Sequence, residues 1–203
     1  MYELVILAQL MAYPAHGYLI AKIINDIIGP YARLSSGRLY PLLAKLEQNG
    51  LIAVDTEAQS GQRGQRHLRI YKITEAGRQR FHLLMRDTSS NPGDYHELFR
   101  IKATAFEFIP PVERLRLIDH YIHYCQAHIH HLHSEIDAMW SDSQNYPQLV
   151  ASPYRVQCIV NSMEHATERW QLEQDWARSL HARELSLANQ AAANDIFPTL
   201  EPQ

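Results

Sequence analysis

The sequence predicts a mainly α-helical protein in two parts, the first of which carries a small two-stranded β-hairpin. Three observations support this fold class. Apolar residues recur at three- and four-residue spacing through most of the 203 residues. A segment with glycines and arginines separates two short strand-like runs within residues 51–74. Finally, residues 1–86 hold 11 Lys and Arg against 6 Asp and Glu, a net +5, whereas residues 87–203 hold 8 against 16, a net −8.

The composition excludes several classes of protein. Cys125 and Cys158 are the only cysteines, too few for a secreted disulfide framework or a zinc site, and we expect them to be small buried groups. No apolar run approaches the roughly 20 residues that cross a bilayer, and the first residues do not form a signal peptide. We therefore expect a cytoplasmic protein without membrane contact. The uneven charge favours a nucleic-acid-facing module joined to a solvated module, with ordinary scatter of surface charge as the alternative.

Two short helices are predicted at the start of the chain. Residues 2–12 place leucines and Met11 on one stripe, and Tyr13–Pro14 ends the run. Residues 18–28 repeat isoleucines with helical period, and Gly29–Pro30 closes them. Both helices are amphipathic, so both should cover one core.

The segment Ser35–Leu51 predicts a third helix with defined ends. Ser35 and Ser36 can each cap its first turn, and Asn49–Gly50 tolerates a left-handed exit. Pro41 predicts a distorted first turn and, by propensity alone, a start near Tyr40, so the first boundary stays open. Its apolar face consists of Leu39, Leu42, Leu43 and Leu46.

The two strand-like runs, residues 51–57 and 67–74, flank a basic loop whose glycines permit a hairpin tip. Thr74 then caps a helix with Phe81, Leu84 and Met85 on its apolar side. A basic hairpin directly after a helix-turn-helix is a wing. Residues 1–86 therefore predict a winged helix-turn-helix domain.

The second part begins after a polar linker at residues 87–94. A helix over residues 95–108 and two long helices, separated by a polar break at residues 141–153, predict a helical dimerisation domain over residues 95–188, and residues 189–203 a loosely ordered tail. In the first long helix large apolar residues alternate at three- and four-residue steps, which is typical of a coiled-coil seam. The expected dimer interface consists of Leu115, Ile118, Ile122, Ile129, Leu132, Ile136, Met163 and Trp170.

A helix of this kind fits the major groove of DNA, where residues near its start reach the base edges. The candidate residues for base contacts are Ser35, Ser36, Arg38 and Tyr40, with Arg38 directed to a guanine edge. Lys45 lies further along the helix and is a candidate for contact with the charged DNA backbone. On the wing, Arg63 and Arg66 and the Gly64 backbone N–H are candidates for phosphate or minor-groove contacts.

Each candidate also has a structural interpretation. Tyr40 could cover the domain's own core, Arg38 could be a solvated charge, and Arg63 and Arg66 could protect a sheet edge from aggregation. For all of them to be structural at once is less probable than for any one alone. DNA binding is therefore the expected function, and a winged-helix module that contacts proteins is the alternative.

Histidines 120, 123, 128, 130, 131 and 133 crowd the first long helix at positions off its seam, which disfavours a metal site and favours a solvated face, with pH sensing as an open alternative. Trp140, Trp170 and Trp176 could line an effector cavity, but for Trp170 a dimer interface is favoured. The chain shows no phosphate-binding loop, nucleophile elbow or convincing carboxylate pair. We therefore expect neither an enzyme nor a cofactor.

The order of these elements, with Gly-Arg-Leu-Tyr-Pro-Leu-Leu-Ala-Lys-Leu-Glu in the third helix and Tyr-Lys-Ile-Thr-Glu-Ala-Gly after the hairpin, resembles the PadR family of bacterial transcriptional regulators. His16-Gly17-Tyr18 also fits that family, and the acidic second half is similar to its dimerisation domain. The resemblance implies a homodimeric repressor that binds an inverted-repeat operator. It also implies release by a small aromatic or lipophilic effector, whose binding residues stay unknown.

Overall fold

The computed structural model describes residues 1–28, 34–55, 69–89, 92–145 and 152–196. The chain divides into two compact units, Met1–Ile109 and Pro110–Gln203. It is mostly helical with one small antiparallel sheet in the first unit, which confirms the predicted fold class. Among the described residues, none of the helices has the length and apolar character needed to cross a membrane.

The first unit contains five α-helices and three strands in its described part. Both opening helices and the third helix are present, the first with the predicted bounds. The elements are α1 (Tyr2–Ala12), β1 (Ala15–His16), α2 (Gly17–Ile28), α3 (Ser36–Gln48), β2 (Ile52–Val54), β3 (Ile70–Ile73), α4 (Glu75–Arg86), a 3-10 turn (Pro92–Asp94), α5 (Tyr95–Ala103) and a second 3-10 turn (Phe106–Phe108).

The sheet has the order β1-β3-β2, with every pair antiparallel. β2 and β3 are the two strands that the sequence predicts, and they pair Ile52 with Ile73 and Val54 with Tyr71. β1 is an additional strand, because two residues are too few to show a period-two pattern. It pairs Ala15 with Tyr71 and so joins the start of α2 to the hairpin.

The core of the first unit lies between α1, α3 and α4. Leucines of α1 and α3 are buried with Phe81 and Met85 of α4. The aromatic residues of α5 and the second 3-10 turn belong to the same core, where the Phe81 and Phe108 rings meet edge to face at 6.0 Å. Residues 95–109 thus belong to the first compact unit, whereas the sequence places them with the long helices. Tyr95 and Phe99 explain the difference, since both are fully buried there.

The second unit is an antiparallel hairpin of two long helices, α6 (Pro111–Asn145) and α7 (Pro153–Ile196). Arg114 near the start of α6 contacts Glu184 of α7 at 3.2 Å, and His128, further along α6, stacks on Trp170. Both helices are longer than predicted. α7 continues past residue 189, where the sequence predicts a loosely ordered tail, and residues 197–203 lie outside the described part of the chain.

The predicted seam is divided between buried and half-buried positions. Ile118 and Cys125 are fully buried within the hairpin. The other seam residues of the expected interface are only half-buried in a single chain; they are Leu115, Ile122, Ile129, Leu132, Ile136, Met163 and Trp170. Part of the seam therefore packs against the chain's own α7, and part stays accessible.

Candidate nucleic-acid interface

The start of α3 is set by backbone hydrogen bonds. Ser35 has the extended backbone of an N-cap residue, and its carbonyl accepts hydrogen bonds from the N–H groups of Arg38 and Leu39, both at 3.0 Å. The expected side-chain cap at Ser35 is absent, and Ser36 is the first helical residue. Both serine side chains are exposed, so their hydroxyls are accessible to a ligand.

Pro41 lies inside α3, so the helix starts before the position that propensity favours. Its missing N–H deprives the Gly37 carbonyl of the donor it would have in a regular helix. Burial of Leu39, Leu43 and Leu46 stabilises the helix despite this loss. Tertiary packing therefore decides the boundary that the sequence leaves open.

The end of α3 has the predicted left-handed exit. Gly50 has φ 69°, its N–H donates to the Glu47 carbonyl at 2.9 Å, and the Leu51 N–H donates to the Leu46 carbonyl at 3.0 Å. These two bonds form a Schellman motif, which satisfies carbonyls at the helix end. The helix therefore ends at a fixed point just before β2.

Thr74 joins the end of α3 to the start of α4. Its hydroxyl donates to the carbonyls of Gly50 at 2.6 Å and Leu51 at 3.0 Å, and it accepts the Gly77 N–H at 3.0 Å as the predicted N-cap. A Cβ on Gly77 would lie 2.0 Å from the Leu51 carbonyl oxygen. Only glycine permits this close approach, so the joint depends on Gly77.

The five candidates on and before α3 share its exposed side, opposite the buried leucines. Arg38 and Lys45 are seven residues apart and lie along one edge of the exposed face, because seven residues make about two turns. Ser36 and Tyr40 lie toward the other edge, with Gly37 between the edges. A face with cations on one edge and hydroxyls on the other can donate hydrogen bonds to base edges and phosphates.

Tyr40 lies against the first residue of α2. A Cβ on Gly17 would be 3.2 Å from Tyr40 Cε1, so the ring packs closely on the Gly17 backbone. Half of the Tyr40 side chain is nevertheless exposed, at 50%. Tyr40 thus covers the domain's own backbone and also presents a surface to solvent, which combines the two interpretations that the sequence leaves open.

His16 fixes the start of α2. Its Nδ1 accepts the Leu19 N–H at 3.1 Å, and its backbone pairs with Ile70 of β3. Histidine is an unusual cap, so helix-cap rules did not single it out. The hairpin strand, the start of α2 and Tyr40 are consequently linked through residues 16 and 17.

A polar cluster that sequence reasoning missed lies between α3 and β3. Arg69 Nη2 is 3.7 Å from Glu47 Oε1, and both side chains interact with the phenol of Tyr71. Burial raises the pKa of Tyr71, and the neighbouring Arg69 charge opposes that rise. Glu47 is more than 20 positions from Arg69 and Tyr71 in the sequence, so only the β-hairpin brings the three residues together.

The predicted wing contacts lie outside the described residues. Arg63, Gly64 and Arg66 fall in the gap between residues 55 and 69. Arg69 is the first described residue after that gap, and its side chain is 61% exposed. The described part of the hairpin therefore carries a cation beside α3.

A model of the transcriptional regulator PadR-like family matches residues 6–83. Those residues are a PadR-like domain. All eight predicted DNA-contact positions lie within it, and the match confirms the resemblance seen in the sequence. No curated protein matches the chain.

Several solved structures resemble the chain beyond the PadR-like domain. PadR of Bacillus subtilis in complex with operator DNA is 21% identical, with 90% of this chain and 98% of that chain covered and a TM-score of 0.39. The PadR-like regulator BC1756 of Bacillus cereus is 19% identical, with 88% and 99% covered and a TM-score of 0.34. The virulence activator AphA of Vibrio cholerae is 18% identical, with 92% and 99% covered and a TM-score of 0.35. Likenesses this distant assign no property to this chain.

Outside the PadR-like domain, the helical hairpin of α6 and α7 contains an aromatic group that includes one histidine. The His128 and Trp170 rings stack with centroids 4.2 Å apart and planes 8° apart, and Tyr124 meets both rings edge to face. His128 is half-buried and so does not belong to the solvated face that the sequence predicts, whereas four other histidines of α6 are exposed. Trp170 packs within its own chain here, and Trp176 meets Tyr121 edge to face.

The helical hairpin of α6 and α7 also buries a polar cluster around Tyr121. The fully buried Tyr121 hydroxyl donates to Glu173 Oε2 at 2.8 Å, so the Glu173 carboxylate has a partner on the other long helix. Burial, and next the hydrogen bond to Glu173, raises the pKa of Tyr121. Burial also raises the pKa of the neighbouring Cys125 thiol to about 12. The Tyr121 phenol and the Cys125 thiol therefore stay protonated at neutral pH, and the hydrogen bond from Tyr121 to Glu173 is a specific contact between the helices.

Proposed function

We propose that this protein is a homodimeric transcriptional repressor of the cytoplasm that binds an inverted-repeat operator through α3 and the wing. The observation that carries the proposal is the exposed face of α3 within the PadR-like domain. It presents Arg38, Tyr40 and Lys45 to solvent, while the leucines of the same helix are buried. A PadR-like domain with such an exposed, cationic face favours binding to DNA over binding to another protein.

In this proposal α3 enters the major groove, where base edges are distinguishable. Arg38, two residues into the helix, donates to the O6 and N7 acceptors of a guanine, and Lys45 neutralises backbone phosphate. Arg63, Gly64 and Arg66 extend the contact to phosphates or the adjacent minor groove. The net +5 charge of residues 1–86 favours approach to DNA over a long range.

Dimerisation is part of the same proposal. Leu115, Ile122, Ile129 and Ile136 are spaced seven residues apart along α6, and each stays half-buried in a single chain. A second copy that covers this stripe would bury aliphatic surface at the remaining seam positions. The two reading helices would then reach half-sites one turn of DNA apart, roughly 34 to 36 Å.

The proposal also includes release of DNA by a small aromatic or lipophilic molecule, the class that the resemblance implies. Trp170 and Trp176 of the aromatic group make such binding observable, because stacking on an indole ring changes its fluorescence. Quenching by hydroxycinnamic acids that disappears in Trp170→Phe would support this part. Quenching that is unchanged in that variant would exclude Trp170 from the site.

Binding of the full chain to duplex DNA tests the proposal. Genomic fragments that co-purify with the protein would supply an operator, and mobility shifts at several salt concentrations would give the affinity and its salt dependence. We expect tight, salt-sensitive binding to a palindromic fragment and weaker binding to a scrambled duplex. A protein that ignores both duplexes in dilute buffer would instead fit the alternative of a protein-contact module.

A further inference from the structure

We propose that Arg69 is an additional phosphate-contacting residue of the DNA interface and that Glu47 of α3 restrains it when no DNA is bound. This inference rests on the proposed DNA binding and adds two residues to it. Neither belongs to the predicted set of contacts, and both lie in the described part of the PadR-like domain.

The positions of Glu47 and Arg69 relative to the exposed face of α3 are the first support for this proposal. Glu47 lies seven residues after Tyr40, so the two side chains project from α3 within about 20° of each other. Glu47 therefore lies at one edge of the proposed reading face. Arg69 immediately precedes β3 and is paired with Glu47, so one cation and one anion lie toward the Tyr40 edge of α3, about two turns further along the helix.

The weakness of the ion pair between Arg69 and Glu47 is the second support. The Arg69 to Glu47 distance of 3.7 Å is longer than a hydrogen bond, and the two side chains are 61% and 31% exposed. Exposed ion pairs of this kind are weak because water screens them. A phosphate, which accepts two parallel hydrogen bonds from a guanidinium, can therefore take Arg69 from Glu47.

The third step concerns what holds Arg69 in place. Arg69 immediately precedes β3, which pairs with both β1 and β2, and its charge acts on the phenol of Tyr71, a residue that is only 2% exposed. The adjoining strand therefore fixes the backbone from which the Arg69 side chain projects. An arginine fixed in this way loses less freedom on binding than one on a free loop.

The chemistry that follows is a competition between two anions for one guanidinium. Without DNA, the Glu47 carboxylate neutralises Arg69. On a duplex, Arg69 turns to the backbone phosphate and Glu47 remains at the edge of the groove, where it repels closely approaching phosphates. Glu47 thereby weakens binding to any sequence, and base contacts by Arg38 must compensate on the operator.

The experiment measures the affinity of the full-length protein for a random-sequence duplex between 50 and 200 mM salt. The variants are Arg69→Ala, Glu47→Gln and the double substitution. Arg80→Ala and Glu3→Gln are matched controls, because this pair of the same unit is also exposed, with Arg80 Nε 2.8 Å from Glu3 Oε1. Thermal unfolding of every variant verifies that each one is folded.

We expect Arg69→Ala to lower the slope of log affinity against log salt by about 0.9, as for the loss of one phosphate contact. Its affinity deficit should then change by about threefold across this salt range. Glu47→Gln should raise the affinity, and most of that gain should disappear in the double variant.

A salt slope of Arg69→Ala that equals the slope of Arg80→Ala would overturn the phosphate contact. An equal gain from Glu47→Gln with and without Arg69 would overturn the restraint, since Glu47 would then act only as a distant charge. If the unmodified protein binds no duplex at all, the proposed function fails, and this outcome is distinct from both others.

Discussion

The Tyr121 hydroxyl donates a hydrogen bond to Glu173 across the hairpin at 2.8 Å, from a position that is fully buried. Removal of the acceptor should therefore destabilise the second unit. We expect Glu173→Ala to lower the free energy of unfolding by about 1 to 3 kcal/mol, because a buried hydroxyl loses its partner carboxylate. Urea denaturation followed by circular dichroism measures the change. Glu168→Ala, at an exposed position of the same helix, should have almost no effect.

Alkaline pH should weaken the same region. The pKa of Cys125 rises from 9.0 to about 12 on folding, and the pKa of Tyr121 is also raised. A raised pKa contributes stability that is complete below the unfolded value and is lost as pH rises toward the folded value. We expect the free energy of unfolding to fall above pH 9.0 because of Cys125 and further above pH 10.0 because of Tyr121, by on the order of 1.4 kcal/mol per pH unit for each group. Urea titrations between pH 7 and 10.5 test this, and an equal decline in Tyr121→Phe would contradict the role of the phenol.

The two cysteines should differ in reactivity. The expectation that both cysteines are buried is wrong for Cys158, which is exposed, whereas Cys125 is fully buried and its raised pKa keeps the thiol protonated. Because the thiolate is the reactive form, an aromatic disulfide reagent at pH 8 should label one thiol per chain in the folded protein and two after denaturation. Cys158→Ser should abolish the rapid labelling. Rapid labelling that persists in this variant would show that Cys125 is accessible.

The joint between α3 and α4 makes a prediction about stability. A Cβ at position 77 would lie 2.0 Å from the Leu51 carbonyl oxygen, so we expect Gly77→Ala to cost at least about 3 kcal/mol. Gly50→Ala should cost about 1 kcal/mol, because φ is positive but the surrounding space is open. Gly93→Ala meets nothing within 4 Å and is the neutral control. Thermal denaturation of the three variants should reproduce this order.

Substitutions in α3 and the wing should affect DNA binding differently. Arg38→Ala should lower the discrimination between operator and scrambled duplex by about 1 to 3 kcal/mol, because a base contact is lost. Arg63→Ala should weaken binding to all DNA sequences alike and lower the slope of log affinity against log salt by about 1, because a phosphate contact is lost. Filter-binding titrations at several salt concentrations separate the two effects. Arg183→Ala, a charge loss outside the PadR-like domain, is the control, and identical behaviour of Arg38→Ala and Arg63→Ala would contradict these assignments.

Local sequence signals predicted the elements that depend on local chemistry. Helical periodicity located α1 and α2, Thr74 marked the start of α4, and Gly50 marked the end of α3. The start of α3 was left open, because burial of its leucines outweighs the propensity of Pro41. Propensity rules describe an isolated segment, and here tertiary packing decided the boundary.

Non-local contacts account for what the sequence did not reveal. β1 has two residues, and its pairing with β3 depends on a partner more than 50 positions away. The cluster of Glu47, Arg69 and Tyr71 forms only when the hairpin folds beside α3. The stacking of His128 on Trp170 likewise requires the antiparallel arrangement of α6 and α7. Heptad positions alone placed His128 on a solvated face, because they take no account of a neighbouring helix in the same chain.

The Thr74 hydroxyl bonds to the Gly50 and Leu51 carbonyls just after α3 and also accepts the Gly77 N–H in the first turn of α4. The close approach of Gly77 to the Leu51 carbonyl oxygen packs this joint tightly as well. The end of α3 is therefore coupled directly to the start of α4. In the proposed dimer, we expect a signal that alters DNA affinity to move α3 together with α4 and to change the separation of the two α3 helices.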